Sequence, residues 1–322
     1  MKYVELGKNK EKISAIGLGT WQFGSPGWGY GREFDRSTAI KLINLALDMG
    51  VNLFDTAEMY GRGLSETILG EAIKGRRDET FIATKVSPHH LRYRSLKRSA
   101  ERSLNRLGIK TIDLYQIHWP NTLISLKVTI KALDELVDEG KIRYVGVSNF
   151  SKGFLNKARA LSKHEIVSNQ LNYSLAKLDV EKNLLPYAKE AGVKIIAFSP
   201  LGQGVLTGKY TPEKGLTYKG VRAINILFSP QNLEKLQPLI NKMKEIGENY
   251  GKTPAQIALN YLISDDSVIT IPGAKNEEQL KSNIQAADFN MKQTEIDELK
   301  EIAGKFHPQR MRSLPWILGF ER

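Results

Sequence analysis

Residues 112–147 read IDLYQIHWPNTLISLKVTIKALDELVDEGKIRYVGV, and this stretch decides the fold. Ile112 to Ile117 and Ile142 to Val147 are short runs, apolar on nearly consecutive positions, as strands buried on both faces of a parallel sheet are. Between them Leu126, Ile130, Leu133 and Val137 recur at helical spacing, giving one apolar stripe to lay on a sheet. Gly140 stands just before the second strand, where a residue tolerating positive φ closes a helix. The stretch is one β–α–β unit.

The same unit extends in both directions. Further strands are expected at Ala15 to Gly19, Val51 to Asp55, Thr80 to Val86, Ile166 to Gln170, Val193 to Phe198 and Val268 to Ile271. Leu96, Ala100, Leu104 and Leu107 mark another crossover helix, and Gly50, Gly108 and Gly192 repeat the role of Gly140. Strand starts recur about every 25 to 35 residues, the length of one βα unit. Eight such strands predict a closed (β/α)8 barrel in the α/β class, rather than an open doubly wound sheet, as a single domain spanning residues 1–322.

Three pieces stand outside the repeat. Tyr3 to Ile13, with Gly7-Lys8-Asn9 at its middle, reads as a hairpin covering the bottom of the barrel. Leu201 to Gln231 is a long loop punctuated by Gly and Pro, a length that is usually functional inside a domain. Thr253-Pro254 starts an extra helix with an N-cap and a proline at N1. The tail after Gly304 has no clear period.

Composition narrows the class. There is no cysteine, which excludes disulfides, thiolate metal sites and a cysteine nucleophile and fits a cytoplasmic location. The N-terminus lacks a signal-peptide core, and no apolar run approaches the roughly 20 residues of a membrane helix, so no membrane partner is expected. The formal net charge is +12, but the basic residues are scattered. Arg92 to Arg106 reads as a solvated helix face, so no nucleic-acid partner is expected. The positive balance would help attract an anionic cofactor. The nearest approach to a Rossmann fingerprint, Gly202-Gln203-Gly204-Val205-Leu206-Thr207, lacks its third glycine.

Active sites of such barrels gather at the C-terminal strand ends. Those ends carry Asp55, Lys85 and His118, and the loop after Asp55 adds Tyr60. A neighbouring ammonium favours tyrosinate, which predicts a Tyr60 pKa below the usual value near 10. Asp55 would hold the lysine, an imidazole would orient a carbonyl, and Tyr60 would protonate its developing oxyanion. Singly, each has an ordinary role open to it: a loop cap, a packed aromatic, an exposed strand end, a core histidine. Together they read as one site. His89-His90 is not expected to bind metal, since adjacent residues on a strand point apart and no carboxylate partners them.

The text around these residues resembles the aldo-keto reductase superfamily. The resemblance is carried by Asp55-Thr56-Ala57-Glu58-Met59-Tyr60-Gly61-Arg62-Gly63-Leu64-Ser65-Glu66, Ala83-Thr84-Lys85, Ile117-His118-Trp119, Gly146-Val147-Ser148-Asn149-Phe150 and Asn169-Gln170-Leu171-Asn172-Tyr173. It continues through Phe198-Ser199-Pro200-Leu201-Gly202 and Ile271-Pro272-Gly273-Ala274-Lys275 to Asn283, in order over nearly the whole chain. It implies a (β/α)8 barrel that binds NADP(H), with NADH as a weaker alternative, and reversibly reduces a small-molecule aldehyde or ketone. Tyr60 is then the general acid/base, with Asp55 and Lys85 tuning it and His118 orienting the carbonyl. Ser148, Asn149 and Gln170 would hold the nicotinamide, with Gly19, Thr20 and Trp21 along its edge. Phe198 would stack on it where relatives more often have Tyr or Trp. Ser199, Pro200, Leu201 and Gly202, with Lys209 beyond, would follow the pyrophosphate. Gly273, Lys275, Gln279 and Asn283 would meet the adenosine end, Lys275 against the 2′-phosphate. Lysine lacks the arginine fork common there, so the NADPH preference is expected to be weaker.

The substrate pocket is expected among Trp21, Phe23, Trp28, Tyr30, Trp119 and Trp316, or several of these aromatics cover the barrel top instead. Two other functions compete: a cofactor-binding regulatory subunit, and a lyase using Lys85 as a Schiff-base amine.

Overall fold

Eight parallel strands form the body of the protein, in a computed structural model that describes residues 1–214, 222 and 225–309. An antiparallel hairpin comes first, β1 (Tyr3–Leu6) and β2 (Glu11–Ser14). The barrel strands follow as β3 (Leu18–Gly19), β4 (Leu53–Asp55), β5 (Phe81–Val86), β6 (Ile112–Ile117), β7 (Ile142–Ser148), β8 (Ile166–Asn172), β9 (Lys194–Phe198) and β10 (Val268–Thr270). Each pairs with its sequence neighbour from β3 to β10. The sheet then closes on itself: Ile16 bridges Thr270, the Gly17 N–H donates to Thr270 O at 2.8 Å, and the Thr270 N–H donates to Ala15 O at 2.9 Å. All eight expected strands are present, some shorter by two or three residues.

The crossovers are α1 (Arg36–Asp48), α2 (Leu64–Ala72), α3 (Tyr93–Leu107), α4 (Leu126–Asp138), α5 (Lys152–Leu161) and α6 (Asp179–Glu190). In α4 the predicted stripe is the buried one: Ile130 and Leu133 are fully covered, each side chain worth roughly 1.5–3 kcal/mol relative to exposure. α3 ends on Gly108 at φ 66, a left-handed cap that leaves the chain free to turn into β6. Arg94, Arg98 and Arg102 lie on its exposed face. Arg106 instead turns inward, its Nε donating at 2.6 Å to the buried Glu66, which also accepts from Thr84 Oγ1.

After β9 come α7 (Pro230–Tyr250), α8 (Pro254–Ile263), then, beyond β10, α9 (Glu277–Ile284) and α10 (Gln293–Gly304). Thr253 caps α8 with a full capping box to Gln256, as its sequence predicts. The helix it starts is not the extra one, however. α8 packs on β10 as the seventh crossover, α9 follows β10 as the eighth barrel helix, and the helices added to the repeat are α7 and α10.

Two cores result. The larger lies between the sheet and the helices. The smaller fills the barrel: Leu53, Phe81, Ala83, Leu114, Tyr144 and Ile196 point inward, over a floor made by Val4, Leu6 and Ile13 of the hairpin. Inward positions follow the two-residue period of a strand, so Lys85, two residues after Ala83, also faces the interior. No helix among the described residues is long and apolar enough to cross a membrane.

Candidate active site

Asp55, at the end of β4, and Lys85, near the end of β5, meet inside the barrel with Nζ 2.6 Å from Oδ1 and both side chains buried. Nζ also donates to Thr56 O at 2.7 Å and to the Tyr60 hydroxyl at 3.2 Å. Tyr60 opens a tight turn, Tyr60–Gly63, in which Gly61 and Arg62 are both left-handed (φ 55 and 57). Gly61 has no substitute there: an added Cβ would stand 2.8 Å from the Gly24 carbonyl oxygen. The turn sets the Tyr60 ring 4.7 Å from Nζ and edge-on to His118, with ring centroids 5.6 Å apart. The His118 N–H donates to Val86 O at 3.1 Å, continuing the β5–β6 pairing past the strand. The four residues expected to act together do meet.

Their protonation states follow from burial and neighbours. Burial disfavours the Lys85 charge, but Asp55 and the Tyr60 oxygen outweigh it and the ammonium is held above its ordinary pKa. The Tyr60 phenol is raised, contrary to the lowering expected from sequence. Burial acts most strongly, Asp55 adds to it, and Lys85 only partly opposes them. Tyr60 is therefore a protonated donor at neutral pH. Burial and then the Lys85 charge push His118 down to about 3, so its ring is neutral.

A chain of hydrogen bonds joins these groups to the residues expected at the nicotinamide. Gln170 Nε2 donates to Asp55 Oδ2 at 2.7 Å. Ser148 Oγ donates to Gln170 O at 2.9 Å, and Asn149 Nδ2 donates to His118 O at 3.0 Å. Thr20 is fully buried and ties the β3 loop to Asp55 O and Ser65 Oγ. Gln116 is one residue that sequence reading missed. It pairs in register with Lys85, its Oε1 lies 3.5 Å from Gln170 Nε2, and strand alternation from Leu114 would have found it. Glu58 was missed too: its Oε1 takes the Ser87 N–H and sits 2.9 Å from His90 Nδ1. His89 and His90 lie in a 3-10 turn rather than on a strand, and His90 does have a carboxylate partner.

Around the opening, Trp21 is 40% and Trp119 50% exposed. Trp21 stands edge-on to Trp28 at 5.1 Å and 6.3 Å from Tyr60. The Arg222 guanidinium covers the Trp28 ring at 5.4 Å from the β9 side, an element the sequence did not suggest. Phe23 is core, packed on Phe34, and Tyr30 meets the same Phe34 edge-on at 5.5 Å. Trp316 lies outside the described residues.

Half-buried Phe198 ends β9, and Ser199 (φ 51), Gly202 (φ 56) and Gln203 (φ 61) turn the chain sharply after it. Pro200 is buried beneath this turn and Leu201 packs on both cores. Lys209 is exposed, its N–H donating to Thr207 Oγ1. Beyond β10, the Asn283 amide donates to Gly273 O, Gln279 accepts from the Lys275 N–H, and Lys275 Nζ pairs with Glu33 at 2.7 Å. A Cβ at Gly273 would stand 2.6 Å from Gln22 Oε1. Hydroxyls and amides beside the Asp55–Lys85–Tyr60 cluster and an ammonium at the far end form a donor set that fits a phosphorylated dinucleotide.

The model of the Aldo/keto reductase family matches residues 15–303. An uncharacterized oxidoreductase of Mycobacterium tuberculosis is 42% identical over 310 residues, 96% of this chain and 94% of that one. The thermostable aldo-keto reductase Tm1743, solved with the inhibitor epalrestat, superposes with a TM-score of 0.79 at 36% identity, covering 94% of this chain and all of that one. An aldo/keto reductase from Klebsiella pneumoniae, solved with NADP and acetate, gives 0.75 at 30% identity, covering 96% and 97%. With the match spanning the barrel and every strand end described here, the chain belongs to the aldo/keto reductase family and is an oxidoreductase of carbonyl compounds.

Proposed function

We propose that the protein reduces aldehydes and ketones with NADPH, Tyr60 giving the proton. The observation that carries this reading is the Tyr60 oxygen 3.2 Å from a fully buried ammonium that Asp55 keeps charged. Bound NADPH, the cofactor in a second solved aldo-keto reductase structure from Klebsiella pneumoniae, would supply hydride to the carbonyl carbon. Ser148, Asn149 and Gln170 would hold its nicotinamide and Lys275 its 2′-phosphate. Tyr60 keeps its phenolic proton until charge grows on the carbonyl oxygen. Lys85 then stabilises the phenolate, which a buried cation does far better than one in water. Neutral His118 orients the carbonyl without competing as an acid. Trp21, Trp28 and Trp119 offer apolar walls for the substrate.

A Schiff-base role for Lys85 needs a neutral amine, and the Asp55 carboxylate opposes it. The test is NADPH oxidation with a panel of aromatic and aliphatic aldehydes, beside Tyr60→Phe. The expected result is turnover that falls at least about 10²-fold in the variant while NADPH binding persists. Tight binding with no turnover for any carbonyl supports the regulatory-subunit reading instead.

A further inference from the structure

Lys275 already has an anionic partner. Its Nζ lies 2.7 Å from Glu33 Oε2, and the pair ties the loop after β3 to the segment between β10 and α9. Glu33 is not a stray surface acid. Its N–H donates to Gly29 O at 2.7 Å, closing a turn in which Gly29 has φ 92. A Cβ on Gly29 would stand 2.5 Å from the Glu33 carboxyl carbon, so the glycine is what lets the carboxylate lie in that turn. Its other oxygen, Oε1, accepts from Arg32 Nη2 at 3.0 Å. Lys275 is the more enclosed partner, 20% exposed against 47% for Glu33.

We propose that Glu33 is a built-in competitor for the Lys275 ammonium, which a 2′-phosphate must displace, and that it sets how strongly the protein prefers NADPH over NADH. The inference rests on the assignment of Lys275 to the 2′-phosphate. A phosphate monoester carries about −1.5 to −2 charge at neutral pH and outbids a single carboxylate for one lysine. A ribose hydroxyl does not, so with NADH the Glu33–Lys275 pair stays closed. Arg32 makes the exchange easy, because Glu33 keeps a cationic partner when Lys275 is drawn away. Lys275, in turn, passes from one anion to another without an interval as an unpaired charge. The preference measured for NADPH is thus the difference between two anions at one ammonium, not the whole strength of the phosphate contact.

The test measures dissociation constants of NADPH and NADH by quenching of protein fluorescence, for the wild type, Glu33→Gln, Lys275→Met and the double variant. Glu33→Gln is expected to tighten NADPH about two- to fivefold, the range of a partly exposed ion pair, and to leave NADH unchanged. Lys275→Met is expected to weaken NADPH alone, and in that background Glu33→Gln should do nothing. Unchanged or weaker NADPH binding in Glu33→Gln, with Lys275→Met still selective, overturns the competitor and leaves the phosphate assignment standing. Weaker binding would make Glu33 a clasp instead. An unaltered NADPH-to-NADH ratio in Lys275→Met removes the assignment itself, and the competitor with it.

Discussion

Lys85 Nζ lies 2.6 Å from Asp55 Oδ1, and both side chains are buried. Removing one member of such a pair strands a charge in the barrel. Lys85→Met and Asp55→Asn are each expected to lower stability by about 3–5 kcal/mol. The double variant should lose less than the sum, because no charge is left unpaired. Urea unfolding of the four proteins measures this; a loss below about 1 kcal/mol in both single variants would mean that the pair is solvated.

His118 makes the folded protein sensitive to acid. Its ordinary pKa is 6.5 and its folded value is about 3, through burial and then the Lys85 charge. Between those values the unfolded chain takes a proton that the folded one refuses, so this contribution to stability is complete above pH 6.5 and shrinks as pH falls. The loss reaches about 2 kcal/mol at pH 5. His118→Gln should lack that part of the slope. Unfolding curves of both proteins from pH 7 to pH 4.5 decide it, and parallel slopes would refute it.

Gly19→Ala should damage the barrel where it closes. A Cβ there stands 2.6 Å from Ile271 O, a backbone atom that cannot rotate away, and the strain is expected to cost about 1–3 kcal/mol. Gly153→Ala is the control: it lies in α5 with nothing near the new methyl, and the gain is about 0.5–1 kcal/mol. Melting temperatures should move in opposite directions.

Trp28→Ala should act on binding rather than on chemistry. Its ring packs on Trp21 and under Arg222, and Trp21 is the aromatic that stands beside Tyr60. KM for bulky aromatic aldehydes is expected to rise about tenfold, roughly 1.4 kcal/mol of lost apolar contact, with kcat nearly unchanged. An equal fall in kcat for large and small aldehydes would mean that the residue acts on the chemical step instead.

The barrel was legible because its strands are covered on both faces, which writes them as runs apolar on nearly consecutive positions, such as Ile142 to Val147. The helices announced themselves by stripe and by glycine caps. The meeting of Asp55, Tyr60, Lys85 and His118 was legible too, since they stand at or just beyond successive strand ends on one face of the barrel. What was hidden depends on separation and on sums. Glu58 and His90 are 32 residues apart and Glu33 and Lys275 are 242 apart, and nothing local couples them. The Tyr60 pKa is a balance of burial, one cation and one anion; sequence showed both charges but not the burial, which acts most strongly. α7 was missed as an added helix because α8 carries the stronger capping signal.

The seam between Ile16 and Thr270 also fixes when the molecule can be finished during synthesis. The first stave of the barrel leaves the ribosome with one edge ready for β4 and the other bare. Its second partner is made roughly 10 to 50 s later at ordinary elongation rates. Through that interval the growing sheet carries two unpaired strand edges, the kind of surface on which other chains pair and aggregate. Emergence of residues 268–272 removes both edges at once. The order of translation thus makes the last strand of the barrel the step that ends the nascent chain's exposure.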